Sequence, residues 1–206
     1  MIPEIEFRYS SIYDELHKRY LETYYKAYKK SKTKILLQKY PSQKKLENYI
    51  KKIKPLWKNK EKKILTEIAK IMGLKWREKK IRVYLVGKCI PFSDPLTIPP
   101  YKDKEEFIDT LTHELIHQIQ MQADDKLWKK WWAYIKQNYG EELRKTKSHI
   151  LLHAVHWEIY LRLFNEKHLK TNIKKSARND PYRRAWEIVQ KEGYESIIKK
   201  FKEITK

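Results

Sequence analysis

The sequence predicts a predominantly helical α+β fold. It has a small mixed sheet packed on one motif-bearing helix, and a basic helical extension at the N-terminus. Three observations carry this expectation. Residues 81–87, Ile-Arg-Val-Tyr-Leu-Val-Gly, form a β-branched apolar run closed by glycine, the pattern of a buried strand. From Asp103 onward the apolar residues recur at helical spacing. Between Lys26 and Lys80, twenty Lys or Arg stand against four acids, a local charge of +16.

The elements follow in order. The basic stretch reads as helices over roughly 11–30, 42–54 and 59–72. Pro41 and Pro55 act as breaks, and Gly73 as a C-cap. Tyr24, Tyr25, Tyr28, Ile35, Leu36, Leu37, Tyr49, Ile50, Ile53 and Trp57 interleave with the lysines. After the strand comes an irregular stretch with Pro91, Pro95, Pro99 and Pro100, in which Leu96-Thr97-Ile98 is expected as a short edge strand. Asp103 caps a helix running to about Gln122, with Phe107, Ile108, Leu111, Leu115 and Ile119 as its apolar stripe. A tryptophan-rich helix spans 127–139 and another roughly 145–165. Asp180-Pro181 starts a last one that Gly193 interrupts. Trp186, Ile188, Val189, Ile197 and Ile198 are expected in the core. The expected division is 1–58 as extension and 59–206 as the main domain.

Composition bounds the function. Of 206 residues, 41% are apolar, enough for a core, while 47 Lys plus Arg against 26 Asp plus Glu leave a net +21 and favour an anionic partner. The four glycines are scattered, so no phosphate-cradling loop exists and Walker-type or Rossmann-type nucleotide binding is excluded. The single Cys89 excludes intrachain disulfides and cysteine-based zinc ribbons. The first residues carry acids without an apolar signal core, and no stretch has the length of a membrane span, so a cytoplasmic protein is expected. The abundance of Lys, Glu, Ile and Tyr is a thermophile-like composition.

His113-Glu114-Leu115-Ile116-His117 is an HExxH motif on a predicted helix. Residues i and i+4 share a helix face, so both imidazoles can reach one Zn²⁺. Glu114 lies to the side where a zinc-bound water would sit. It can take that water's proton for attack on a polarised carbonyl. A third ligand is expected from residues 148–160, where helical phase sets His149, His153, His156 and Tyr160 on one stripe and Glu158 on the opposite, polar side. His153 is the first choice, His149 the second and Glu158 the third. His17 and His168 read as surface residues.

With these residues the chain resembles the zincin metallopeptidases over roughly residues 60–165. The resemblance implies that the motif helix packs under a small sheet and that an edge strand, here Leu96 to Ile98, binds substrate backbone in extended form. Size and layout are similar to the archaeal minigluzincins. A downstream third histidine, which His153 would supply, is similar to the SprT-like proteases. The metzincin continuation after His117 is absent. The leading expectation is a zinc metalloendopeptidase of the HExxH type acting on a peptide or protein substrate: His113, His117 and His153 bind zinc, and Glu114 activates a zinc-bound water. The alternative is a nucleic-acid-binding or DNA-associated protein with a structural or vestigial zinc site, engaging DNA or RNA through Lys26–Lys80.

Overall fold

A computed structural model describes residues 1–27 and 39–206, with all their side chains except those of 24–27. Residues 28–38, and with them Tyr28, Ile35, Leu36 and Leu37, lie outside the described residues, as do the side chains of Tyr24 and Tyr25. The described chain is α+β and mostly helical, with eight helices and one small mixed sheet. It divides into two compact units, one of Ile2–Lys62 and Glu78–Gln118, the other of Lys63–Arg77 and Ile119–Lys206 with Met1. No helix among the described residues is long and apolar enough to cross a membrane.

The first unit is built on the sheet. Strand β1 (Glu4–Tyr9) pairs parallel with β2 (Lys80–Leu85), from Glu4 opposite Lys80 to Tyr9 opposite Leu85. Strand β3 (Phe92–Ser93) is antiparallel to β4 (Leu96–Ile98), which pairs parallel with β2, giving the order β1-β2-β4-β3. Two expectations are corrected. The N-terminal region, expected as a helical extension, opens with a strand of the same sheet. Its residues Glu-Ile-Glu-Phe-Arg-Tyr alternate polar and apolar, so that Ile5 buries while Glu4 and Glu6 meet Lys80 and Arg82 across the ladder. The strand Leu96–Ile98 exists but is not an edge, since it is paired on both sides. Among the described residues the edges are β1 and β3.

The pleat separates the two faces of this sheet. Tyr13 of α1 (Ser11–Ala27) meets Tyr84 at 5.1 Å and shares a 2.8 Å hydrogen bond with Thr97. His17 of the same helix lies 5.6 Å from Phe92, so it is half-buried rather than a surface residue. On the other face, Phe7 meets Phe107 of α3 (Lys104–Met121) at 6.0 Å. Because Phe92 faces α1, the next residue of β3, Ser93, faces α3. The turn after β2 is fixed by Asp14, which is buried and accepts the Gly87 N–H at 2.7 Å and the Tyr40 hydroxyl. A Cβ on Gly87 would sit 2.4 Å from the Tyr40 ring, so only glycine fits there.

Helix α2 (Gln43–Met72) runs unbroken through Pro55, where the sequence predicts a stop. Pro55 is exposed, while Ile53 and Trp57 on either side are almost wholly buried. Their burial offsets the lost backbone hydrogen bond. Trp57 also donates its indole N–H to Glu61 at 2.9 Å. Helix α3 begins as predicted, with the Asp103 carboxylate accepting the Glu105 N–H at 2.9 Å.

The second unit is helical: α4 (Asp125–Asn138), α5 (Arg144–Leu163), α6 (Glu166–Ser176), α7 (Asp180–Glu192) and α8 (Tyr194–Thr205), with the C-terminal part of α2. Helix α5 is its centre, with Ile150, Leu152, Val155, Ile159 and Tyr160 buried, and α7 and α8 pack on it. The C-terminal residues expected in the core, Trp186, Ile188, Val189, Ile197 and Ile198, are all buried. Asn179 rather than Asp180 is the N-cap of α7, and Gly193, at φ +83°, ends that helix and turns the chain directly into α8.

Candidate metal centre

Helix α3 exists because its apolar residues, 3–4 apart, all bury: Phe107, Ile108, Leu111 and Leu115 are fully enclosed. That stripe leaves His113 and His117 together on a half-buried face, their ring centroids 5.2 Å apart at 74°. The i, i+4 spacing sets both rings on one side of the helix, as two ligands of a common ion require.

Glu114 turns toward the sheet and is buried. Its Oε2 accepts the Ser93 hydroxyl at 2.5 Å, and the Gln118 side-chain amide donates to the Ser93 carbonyl oxygen. One residue of the edge strand is thus tied to two residues of the motif helix. Burial pushes the Glu114 carboxyl up to about 7, and the Ser93 hydroxyl, which favours the ionised form, draws it part of the way back. A carboxyl held near neutrality is suited to taking and returning a proton. Cys89 is buried in the same unit. Desolvation first, and Glu114 second, push its thiol well above the usual range, so it stays protonated and is no nucleophile.

The histidines of α5 are all buried, but they differ in surroundings. His149 Nδ1 lies 2.8 Å from the Lys145 carbonyl oxygen. A carbonyl only accepts, so Nδ1 carries the proton and the lone pair is on Nε2, the tautomer a metal ligand needs. Tyr182 packs against this ring at 4.5 Å, and Lys145 lies over Tyr182 at 4.4 Å. His153 stacks flat on the Trp186 ring, 4.1 Å apart and inclined by 11°. Glu158 accepts from the Arg162 guanidinium at 2.7 Å, and Arg162 also meets Glu67 at 2.9 Å. A carboxylate so paired is a poor candidate for a cation. His168 stacks on Phe164 at 5.1 Å and is half-buried, not the surface residue the sequence predicts.

His156 stacks on Tyr160 at 4.5 Å. Burial, and to a lesser degree the charge of His168, lower its imidazole to about 3. A base whose folded pKa lies below its unfolded value of 6.5 stabilises the fold above that value, and this contribution is lost as pH falls toward about 3. Between pH 6 and 4 the wild type should therefore lose up to about 1.4 kcal/mol per pH unit relative to His156→Leu. Urea unfolding of both proteins across that range checks this. Parallel pH profiles would contradict it.

The sequence reading reached every residue of the motif turn but missed Ser93 and Gln118. A signal for Gln118 was present, since it adjoins His117 and follows Glu114 by one helical turn. Ser93 carries no such signal, because only the register of a two-residue strand directs it to Glu114. In comparisons with known proteins no family model matches the chain, and no curated sequence or solved structure matches it either.

Proposed function

We propose that the chain is a zinc-dependent peptidase of zincin type in which His113, His117 and His149 hold the ion and Glu114 is the general base. The observation that carries this reading is the motif turn of α3: two imidazoles on one face, beside a buried carboxyl hydrogen-bonded to the edge strand of a sheet. Three neutral imidazoles are a fitting donor set for zinc. The choice of His149 as the third, over His153, the first choice from helical phase, is supported by the Lys145 carbonyl, which holds His149 in the tautomer with its lone pair on Nε2.

When bound, zinc supplies Lewis acidity that polarises a substrate carbonyl and lowers the pKa of water. Glu114 then acts through Oε1, since Oε2 is engaged by Ser93. It accepts the proton of the water whose oxygen adds to the peptide carbonyl carbon. The same proton passes to the amide nitrogen as the C–N bond breaks, leaving a carboxylic acid and an amine. The free edge of β3 is where an extended substrate would add as a further strand, its backbone hydrogen-bonding the edge. Ser93 would then tie substrate position to base position.

Digestion of a denatured protein and a peptide library by the zinc-loaded chain tests the reading, with new N-termini identified by mass spectrometry. Cleavage should stop on chelation and return with zinc. A fully zinc-loaded chain that cuts neither substrate would overturn the proposal.

A further inference from the structure

The peptidase reading makes no use of the lysines of α2. Between Gln43 and Lys62 this helix buries Leu46, Tyr49, Ile53 and Trp57, so its opposite face is turned to solvent. Lys44, Lys45, Lys51, Lys52, Lys58 and Lys62 are exposed there, with Asn48, Pro55 and Asn59 between them. At about 100° per residue, Lys44, Lys51, Lys58 and Lys62 fall within roughly 40° of one line, and Lys45 and Lys52 on a line beside it. Successive lysines of each line are mostly seven residues, or about 10.5 Å, apart. Two acids lie in this stretch: Glu61 is buried beneath Trp57 and pairs with Lys58 at 2.9 Å, and Glu47, exposed between Lys44 and Lys51, accepts from Gln43. No ion pair joins Lys44, Lys45, Lys51, Lys52 or Lys54 to a described residue.

We propose that this face of α2 binds the phosphate backbone of a nucleic-acid duplex. A row of exposed lysines that far outnumber the one exposed acid among them, with asparagine amides as further donors, complements a linear polyanion and requires no base readout. This face of α2 presents no ring for base stacking among the described residues: Tyr49 and Trp57 point into the core. That disfavours a single strand as the preferred ligand. A membrane surface is disfavoured for a parallel reason, since the apolar side of α2 is already buried and only Leu56, at the margin, could insert.

Fluorescence anisotropy with a labelled duplex of about 20 base pairs, titrated from 50 to 200 mM salt, tests this. The variant Lys44→Gln/Lys45→Gln/Lys51→Gln/Lys52→Gln is compared with Lys126→Gln/Lys129→Gln/Lys130→Gln/Lys136→Gln, which removes equal charge from exposed positions of α4. Thermal melting shows that both stay folded. The expected result for the α2 variant is a slope of log K against log salt shallower by about 3–4, and at least about 100-fold weaker binding at low salt. The α4 variant should change by less than about threefold. Equal losses in both variants would reduce the binding to diffuse attraction by a +21 chain and overturn the assignment. So would tighter binding of a single strand of the same length, or an α2 variant that keeps the duplex but loses phosphatidylserine-containing vesicles.

Discussion

Glu114→Gln is expected to abolish peptide hydrolysis, by roughly 10²–10⁴-fold, while leaving zinc content and fold unchanged. The substitution removes the group proposed to hold the proton in transit and changes little else. A glutamine has the same length, and the Ser93 hydroxyl can still donate to its amide oxygen. Stability should not suffer. The carboxyl is raised by burial, so in the metal-free wild type its contribution is present below its ordinary value of 4.5 and is lost as pH rises through about 7. The neutral amide does not lose that contribution, so above neutrality the metal-free variant should unfold no more easily than the wild type. Comparing initial cleavage rates, zinc content and urea midpoints of the two proteins checks all three claims. A Glu114→Gln protein that cuts at wild-type rate would remove Glu114 from the reaction.

The second large effect belongs to the packing that holds the motif helix. Phe107 is fully buried, six residues before His113, and meets Phe7 of β1 at 6.0 Å, Tyr49 of α2 at 5.5 Å and Tyr101 at 6.5 Å. One ring thus joins strand, long helix and motif helix. Phe107→Ala should cost about 3–5 kcal/mol, from lost burial and an unfilled cavity. For a chain of this size that corresponds to a melting temperature lower by about 10 °C. Phe107→Leu, which keeps most of the volume, should fall between the two. A melting temperature unmoved by Phe107→Ala would contradict the described core.

The motif turn and its helix were legible because their signals are local. HExxH needs only i, i+4 spacing, and the stripe from Phe107 to Leu115 has one period throughout. The N-terminal strand was also written locally, as alternation from Glu4 to Tyr9. Six residues give a weak signal, and the lysine-rich chain that follows drew them into an expected extension. Pro55 misled in the opposite way, since local chemistry predicts a break that burial of Ile53 and Trp57 overrides. That Leu96–Ile98 is paired on both sides was not legible, because it depends on pairing among three short segments joined by prolines. For a third ligand, helical phase put His153 first, ahead of His149 and Glu158, with nothing in the sequence to separate the histidines further. His149, His153 and His156 share a phase on α5. What distinguishes them is a backbone carbonyl at Lys145, the Trp186 ring of α7 and the Tyr160 ring, and helical periodicity does not encode these.

The most direct test is the metal itself. Native mass spectrometry of zinc-reconstituted wild type should be run beside His113→Ala, His149→Ala, His153→Ala and Glu158→Ala. One zinc per wild-type chain is predicted, lost in His113→Ala and His149→Ala and kept in His153→Ala and Glu158→Ala. A wild type that takes up no zinc, or a His149→Ala protein that keeps its zinc while His153→Ala loses it, would contradict the proposed centre.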